Sequence, residues 1–122
     1  TSDADVEVIA DPVLSEYLAE DRTVLVDVRQ PEQYAAGHLP GALNMPLPQL
    51  RQRDARLDAA KRIVVYAENW SSPLARAGAK RLLAIGYADV YAFSGGVDLW
   101  VDNGGPLVRS TLAPDGRPET RP

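Results

Sequence analysis

Short apolar runs alternate with helix-spaced apolar stripes along this chain, and the alternation predicts its elements. Val6-Glu7-Val8-Ile9 reads as a first strand. Asp11-Pro12 then supplies an N-cap and a proline in the first helical turn, and Leu14, Tyr17 and Leu18 form a stripe at helical spacing. Val24-Leu25-Val26-Asp27-Val28 is almost continuously apolar, as a parallel strand covered on both faces requires. Gln30 to Tyr34 predicts a short helix, Gly37-His38-Leu39-Pro40-Gly41 is turn chemistry, and Ala42 to Met45 is a short strand. A helix is expected from Leu47 to about Leu57. Ile63 to Tyr66 is a further strand, followed by a helix from Pro73 to about Ile85 that Gly86 terminates. Asp89 to Phe93 is a last strand, Gly95-Gly96 punctuates, and Val97 to about Asn103 closes with a short helix. Strands alternating with helices predict an α/β fold with a mainly parallel sheet.

Composition narrows the class. The chain has 122 residues, the length of one domain, and can bury roughly two-thirds of its unfolded surface without a disulfide or a metal. Its net charge of −4 argues against nucleic acid or an anionic membrane as the main partner. No run of 18 apolar residues is present, so no membrane span is expected. There is no cysteine, which excludes disulfides, thiolate metal sites and thiol catalysis. A single histidine, His38, excludes a multi-histidine metal site, so neither metal nor cofactor is expected. From Pro106 the composition shifts, with Pro106, Pro114, Pro118 and Pro122 interleaved with Arg109, Arg117 and Arg121. A domain over 1–106 and an extended tail over 107–122 are expected. The chain starts at Thr1, as a processed protein or a piece of a longer one would. A cytoplasmic location is expected, or a periplasmic one if a signal peptide has been removed.

Candidate chemistry gathers after the Ile63–Tyr66 strand. Arg62-Ile63-Val64-Val65-Tyr66-Ala67 reads as a buried strand running into a loop that ends at Ser72-Pro73, the start of a helix. Such a loop presents a nucleophile or an anion to backbone N–H groups and to the positive end of the helix dipole. The residue delivered here, Ala67, carries only a methyl group. Beside it, Glu68 would repel an anion by about 1 kcal/mol in water at 4 Å, or about 4 kcal/mol at an effective dielectric of 20. That is enough to cancel a helix-terminus attraction of about 0.3–1 kcal/mol.

The other loop residues each have two readings. Ser71 and Ser72 carry the loop's hydroxyls; a replacement nucleophile would need a base, and His38 belongs to a separate motif. Capping of the next helix suits Ser72, just before Pro73, directly. Trp70 is either a binding anchor or a cover folded over the mouth of the loop, and its exposure decides between them. Asp27 and Arg29 leave the second strand at the same end of the sheet, as ligands or, more simply, as a structural pair. Arg76 and Lys80, four apart, either fold back toward an anion or form a solvated helix face. His38 is expected to stabilise its turn, and Trp100 to belong to the core.

Three separated motifs point to one family. Leu25-Val26-Asp27-Val28-Arg29-Gln30-Pro31-Glu32-Gln33-Tyr34 with Gly37-His38-Leu39-Pro40-Gly41-Ala42-Leu43-Asn44-Met45-Pro46 resembles the first signature of the rhodanese-like (thiosulfate sulfurtransferase) family. Ile63-Val64-Val65-Tyr66 and Leu82-Leu83-Ala84-Ile85-Gly86-Tyr87 resemble the frame of that family's active site. Val90 to Trp100, with Gly105-Pro106 after it, resembles the closing signature. The resemblance runs from about Val6 to Pro106. It implies a single domain with a five-stranded, mainly parallel sheet flanked by helices on both faces. It also implies that a cysteine directly after the fourth strand would carry a persulfide and pass sulfur from a donor such as thiosulfate to an acceptor such as cyanide or a thiol. That position is Ala67. The loop Ala67-Glu68-Asn69-Trp70-Ser71-Ser72-Pro73 is also longer than the family's common short form, and its first basic residue, Arg76, falls within the predicted helix.

The function expected is therefore a catalytically silent binding or regulatory module, taking a protein partner or a small anion at the loop. Asp27, Arg29 and Arg76 would serve as anion or structural support. One alternative is a thiosulfate-type sulfurtransferase whose cysteine has been replaced, and another is an anion-binding module. Serine-based phosphate hydrolysis, by analogy with cysteine-dependent phosphatases, lacks both base and nucleophile.

Overall fold

A computed structural model describes residues 6–20 and 22–110. Five strands form one parallel sheet in the order β1-β5-β4-β2-β3: β1 (Glu7–Val8), β2 (Thr23–Asp27), β3 (Leu43–Asn44), β4 (Arg62–Tyr66) and β5 (Val90–Phe93). The helices are α1 (Asp11–Leu18), α2 (Pro31–Ala36), α3 (Ala55–Asp58), α4 (Leu74–Ile85) and α5 (Gly96–Asp102). β4 is the central strand, with Val64 level with Leu25 on one side and Tyr91 on the other. Its side chains alternate between two cores. Ile63, Val65 and Ala67 join Val28, Leu57, Ala75, Ala79 and Leu82 on one face, while Val64 and Tyr66 join Leu14, Tyr34, Leu39 and Phe93 on the other. Burial on both faces is why β4 reads as an unbroken apolar run.

Close packing brings α4 onto the sheet. A methyl group on Gly78 would sit 2.9 Å from the side chains of both Val28 and Val65, so only glycine allows this approach. Gly86 ends α4 with φ +121°, a conformation that side chains disfavour.

Two local expectations are corrected. The helix expected from Leu47 to about Leu57 is broken into a 3-10 turn, Leu47–Gln49, and the single-turn α3. Prolines at 46 and 48 favour the tight turn, Leu50 leaves it with ψ 75°, and the Asp54 carboxylate then accepts the Arg56 N–H to begin a new turn. The break still buries both Leu50 and Leu57 in the same core. At α1, Ala10 and not Asp11 is the N-cap, and it makes no side-chain cap. Asp11 sits in the first turn, where it accepts hydrogen bonds from Ser15 and Asn103.

The first residues of the expected tail lie along the domain. His38 and Val108 exchange backbone hydrogen bonds of 2.9 and 2.8 Å as an antiparallel bridge, and the Ser110 N–H donates to Ala35 O at 3.0 Å. Residues 111–122 of that tail lie outside the described residues. No helix among the described residues is long and apolar enough to cross a membrane.

Candidate functional site

Ala67 leaves β4 with its side chain 2% exposed, inside the core that α4 covers. Its carbonyl accepts the Val97 N–H at 3.1 Å, and the Glu68 carbonyl accepts the Asp98 N–H at 3.0 Å. The first turn of α5 thus spends two of its free N–H groups on the loop backbone. Gly96 makes the approach possible. It holds φ +62°, and a Cβ there would lie 2.4 Å from the Ala67 carbonyl oxygen.

Asn69 fixes the rest of the loop. Its side-chain oxygen accepts the Ser71 N–H at 3.0 Å, its backbone carbonyl accepts the Ser72 N–H at 3.1 Å, and its side-chain amide donates to Asp98 at 3.0 Å. This is an Asx turn tied to α5. The N-cap of α4 is Pro73 and not the expected Ser72; Ser72, one residue outside the cap, accepts the Leu74 N–H on its Oγ at 3.2 Å. Trp70 lies within the Asn69–Ser72 turn and is 60% exposed, so it does not cover the mouth of the loop. Arg76 is exposed on the first turn of α4.

Asp27 and Arg29 meet at the exit of β2, with exposures of 0% and 5%. Arg29 Nε and Nη2 donate to the Asp27 carboxylate at 2.8–3.2 Å, and the Arg29 N–H donates to Asp27 Oδ1 at 2.9 Å. Nη2 also donates to the Gly37 carbonyl at 2.7 Å, and Nη1 to Glu68 Oε1 at 3.0 Å. Burial alone would lower the Arg29 pKa, but its hydrogen bonds and charge interaction with Asp27, then its bond to Glu68, carry it above its ordinary value. Two carboxylates thus flank one guanidinium. Glu68, expected as a bare repulsive charge, is ion-paired, yet the trio keeps a net negative formal charge. Beneath it, burial and then the charge of Asp27 push the Tyr66 phenol well above its ordinary pKa, and the phenol oxygen accepts the Leu39 N–H.

His38 is buried, stacked on Tyr34 at 3.8 Å, and its Nδ1 lies 2.9 Å from the Tyr34 carbonyl, which can only accept. Trp100 is half-buried and donates its indole N–H to Pro106 O. The structure therefore gathers Asp27, Arg29, Ala67, Glu68 and Asn69, and leaves His38 occupied with Tyr34. Sequence reasoning missed Asp98 and the structural role of Gly96. The sequence signal for Gly96 is the Gly95-Gly96 pair, which by itself reads only as punctuation. Among the described residues no cluster of three or more His, Asp or Glu could hold a metal.

A parallel sheet whose central strand runs into a loop fastened to α5 is an open α/β domain, a class in which ligands bind beyond the carboxyl ends of the strands. Within that class, this chain belongs to the rhodanese-like domain family, whose model matches residues 12–103. The chain is 36% identical over 85 residues to the thiosulfate sulfurtransferase GlpE of Pseudomonas entomophila, covering 68% of this chain and 74% of that protein. Among solved structures, the thiosulfate sulfurtransferase of Pseudomonas aeruginosa is similar with a TM-score of 0.74 and 32% identity over 85% of this chain; the match spans only 19% of that longer protein. Human single-domain sulfurtransferase TSTD1 shares the fold, with a TM-score of 0.70 and 24% identity over 82% of this chain and 99% of its own.

Proposed function

We propose that this rhodanese-like domain performs no persulfide chemistry and acts as a binding or regulatory module through the loop Ala67–Pro73. The observation that carries the reading is Ala67 itself: the strand, loop and helix are assembled around a buried methyl group, in a chain without a thiol. Covalent sulfur transfer needs a nucleophile that can take up and release sulfur, and alanine has no such atom. Assay of thiosulfate:cyanide sulfurtransfer is expected to give the rate of a protein-free blank. Turnover well above that blank would overturn the reading.

The 36% identity to GlpE favours a second reading, a sulfurtransferase whose cysteine has been replaced by alanine. Ala67→Cys tests it: if the thiol takes up sulfur from thiosulfate, read as a mass gain of one sulfur atom, the frame is still competent. We expect no such gain, because Glu68 and Asp27 leave the neighbourhood negative and thiosulfate is a dianion. The anion-binding reading is weakened on the same ground, and further because the Ser71, Ser72 and Leu74 N–H groups are already engaged within the loop.

A further inference from the structure

Trp70 is the most exposed large apolar side chain among the described residues, at 60%, and it stands on a turn held by hydrogen bonds. The turn carrying it is closed by Asn69 onto Ser71 and Ser72 and fastened to α5 through Asp98 and the Glu68 carbonyl. An exposed indole carried on a hydrogen-bonded turn has little backbone freedom to lose on binding, which favours its use as an anchor. Two acidic residues belong to the same hydrogen-bonded loop and helix start. Glu68 is two residues before it and remains 42% exposed despite its bond to Arg29. Asp98, exposed, is bonded to the adjacent Asn69.

From these residues we propose that Trp70, Glu68 and Asp98 form a docking point for a basic segment of a protein partner, with an arginine or lysine side chain laid over the indole. The proposal rests on the reading of the loop as a binding module. The negative face of an indole attracts cations, and tryptophan is the best of the aromatic rings for this. The two carboxylates supply counter-charge at the rim, and the net charge of −4 favours approach of a cationic partner over an anionic one. The same charges disfavour nucleic acid, whose backbone is anionic.

Titration with blocked tetra-arginine, followed by the two indole N–H resonances, tests the proposal. The Trp70 resonance is expected to move, while that of Trp100, bonded to Pro106 O, stays in place. Trp70→Ala should weaken binding about tenfold, the loss of one aromatic anchor. Trp70→Phe, which keeps an aromatic face, should retain most of it, and Asp98→Asn should weaken it severalfold. An unmoved Trp70 resonance at millimolar peptide, or an equal shift with blocked tetra-glutamate, overturns the proposal. Sulfurtransfer measured on the same sample keeps the two ideas separate. Turnover overturns the silent module whatever the peptide does, whereas absent turnover with absent binding overturns only the basic partner.

Discussion

The exits of β2 and β4 lie side by side at one end of the sheet and use their residues in opposite ways. At the end of β2, Asp27 and Arg29 are almost wholly buried, and their charged atoms bond to each other, to Gly37 and to Glu68. At the end of β4, the backbone is held as firmly, but the side chains point to different fates. Ala67 is swallowed by the core and Trp70 stands in solvent. The β2 exit spends its chemistry on holding the domain together. The β4 exit holds its own backbone and leaves the Trp70 side chain in solvent.

Substitutions can break that contrast. The largest effect is expected at Asp27→Ala, which strands a buried guanidinium and should cost about 3–5 kcal/mol in urea unfolding. A cost under about 1 kcal/mol would mean that the β2 exit is not the structural region. Gly96→Ala should follow, at about 2–3 kcal/mol, because it forces a methyl into the Ala67 carbonyl at a positive φ. Hydrogen exchange at Val97 and Asp98 should rise with it.

Tyr66, the last residue of β4, gives a pH test. Its folded pKa is raised, so its contribution is fully present below the unfolded value near pH 10 and is lost as pH rises through the folded value. Stability against urea should therefore fall above about pH 10, and Tyr66→Phe should remove part of that slope. Asn69→Ala should cost about 1 kcal/mol and loosen the turn beneath Trp70, visible as faster exchange at the Ser71 and Ser72 amides. Trp70→Ala should change stability by about 0.5 kcal/mol or less. A larger loss would show that the indole is structural and would erase the difference between the exits.

The sheet was legible because β2, β4 and β5 carry apolar runs bounded by turn residues, and Gly86 marks the end of α4 plainly. The Leu47–Leu57 segment was not. Its apolar spacing suits a helix, and the local cost of Pro46 and Pro48, set against a new start at Asp54, decided otherwise. At the site, the position of Ala67 followed from the strand–loop–helix order. The pairing of Arg29 with Glu68, separated by 39 residues, carries no local signal, and neither does that of Asn69 with Asp98. Such contacts are set when the chain ends of different strands are brought together by the sheet.

Residue 67 enters the architecture through its carbonyl oxygen, which Gly96 and Val97 meet, while its side chain supplies only a buried methyl. Inheritance of the fold and inheritance of a reactive group are thereby separable at this one position. A lineage can discard the reactive group in a single codon change and keep every hydrogen bond that shapes the loop. Mutations can then accumulate on the neighbouring surface under selection for a different task, with the scaffold carried forward intact.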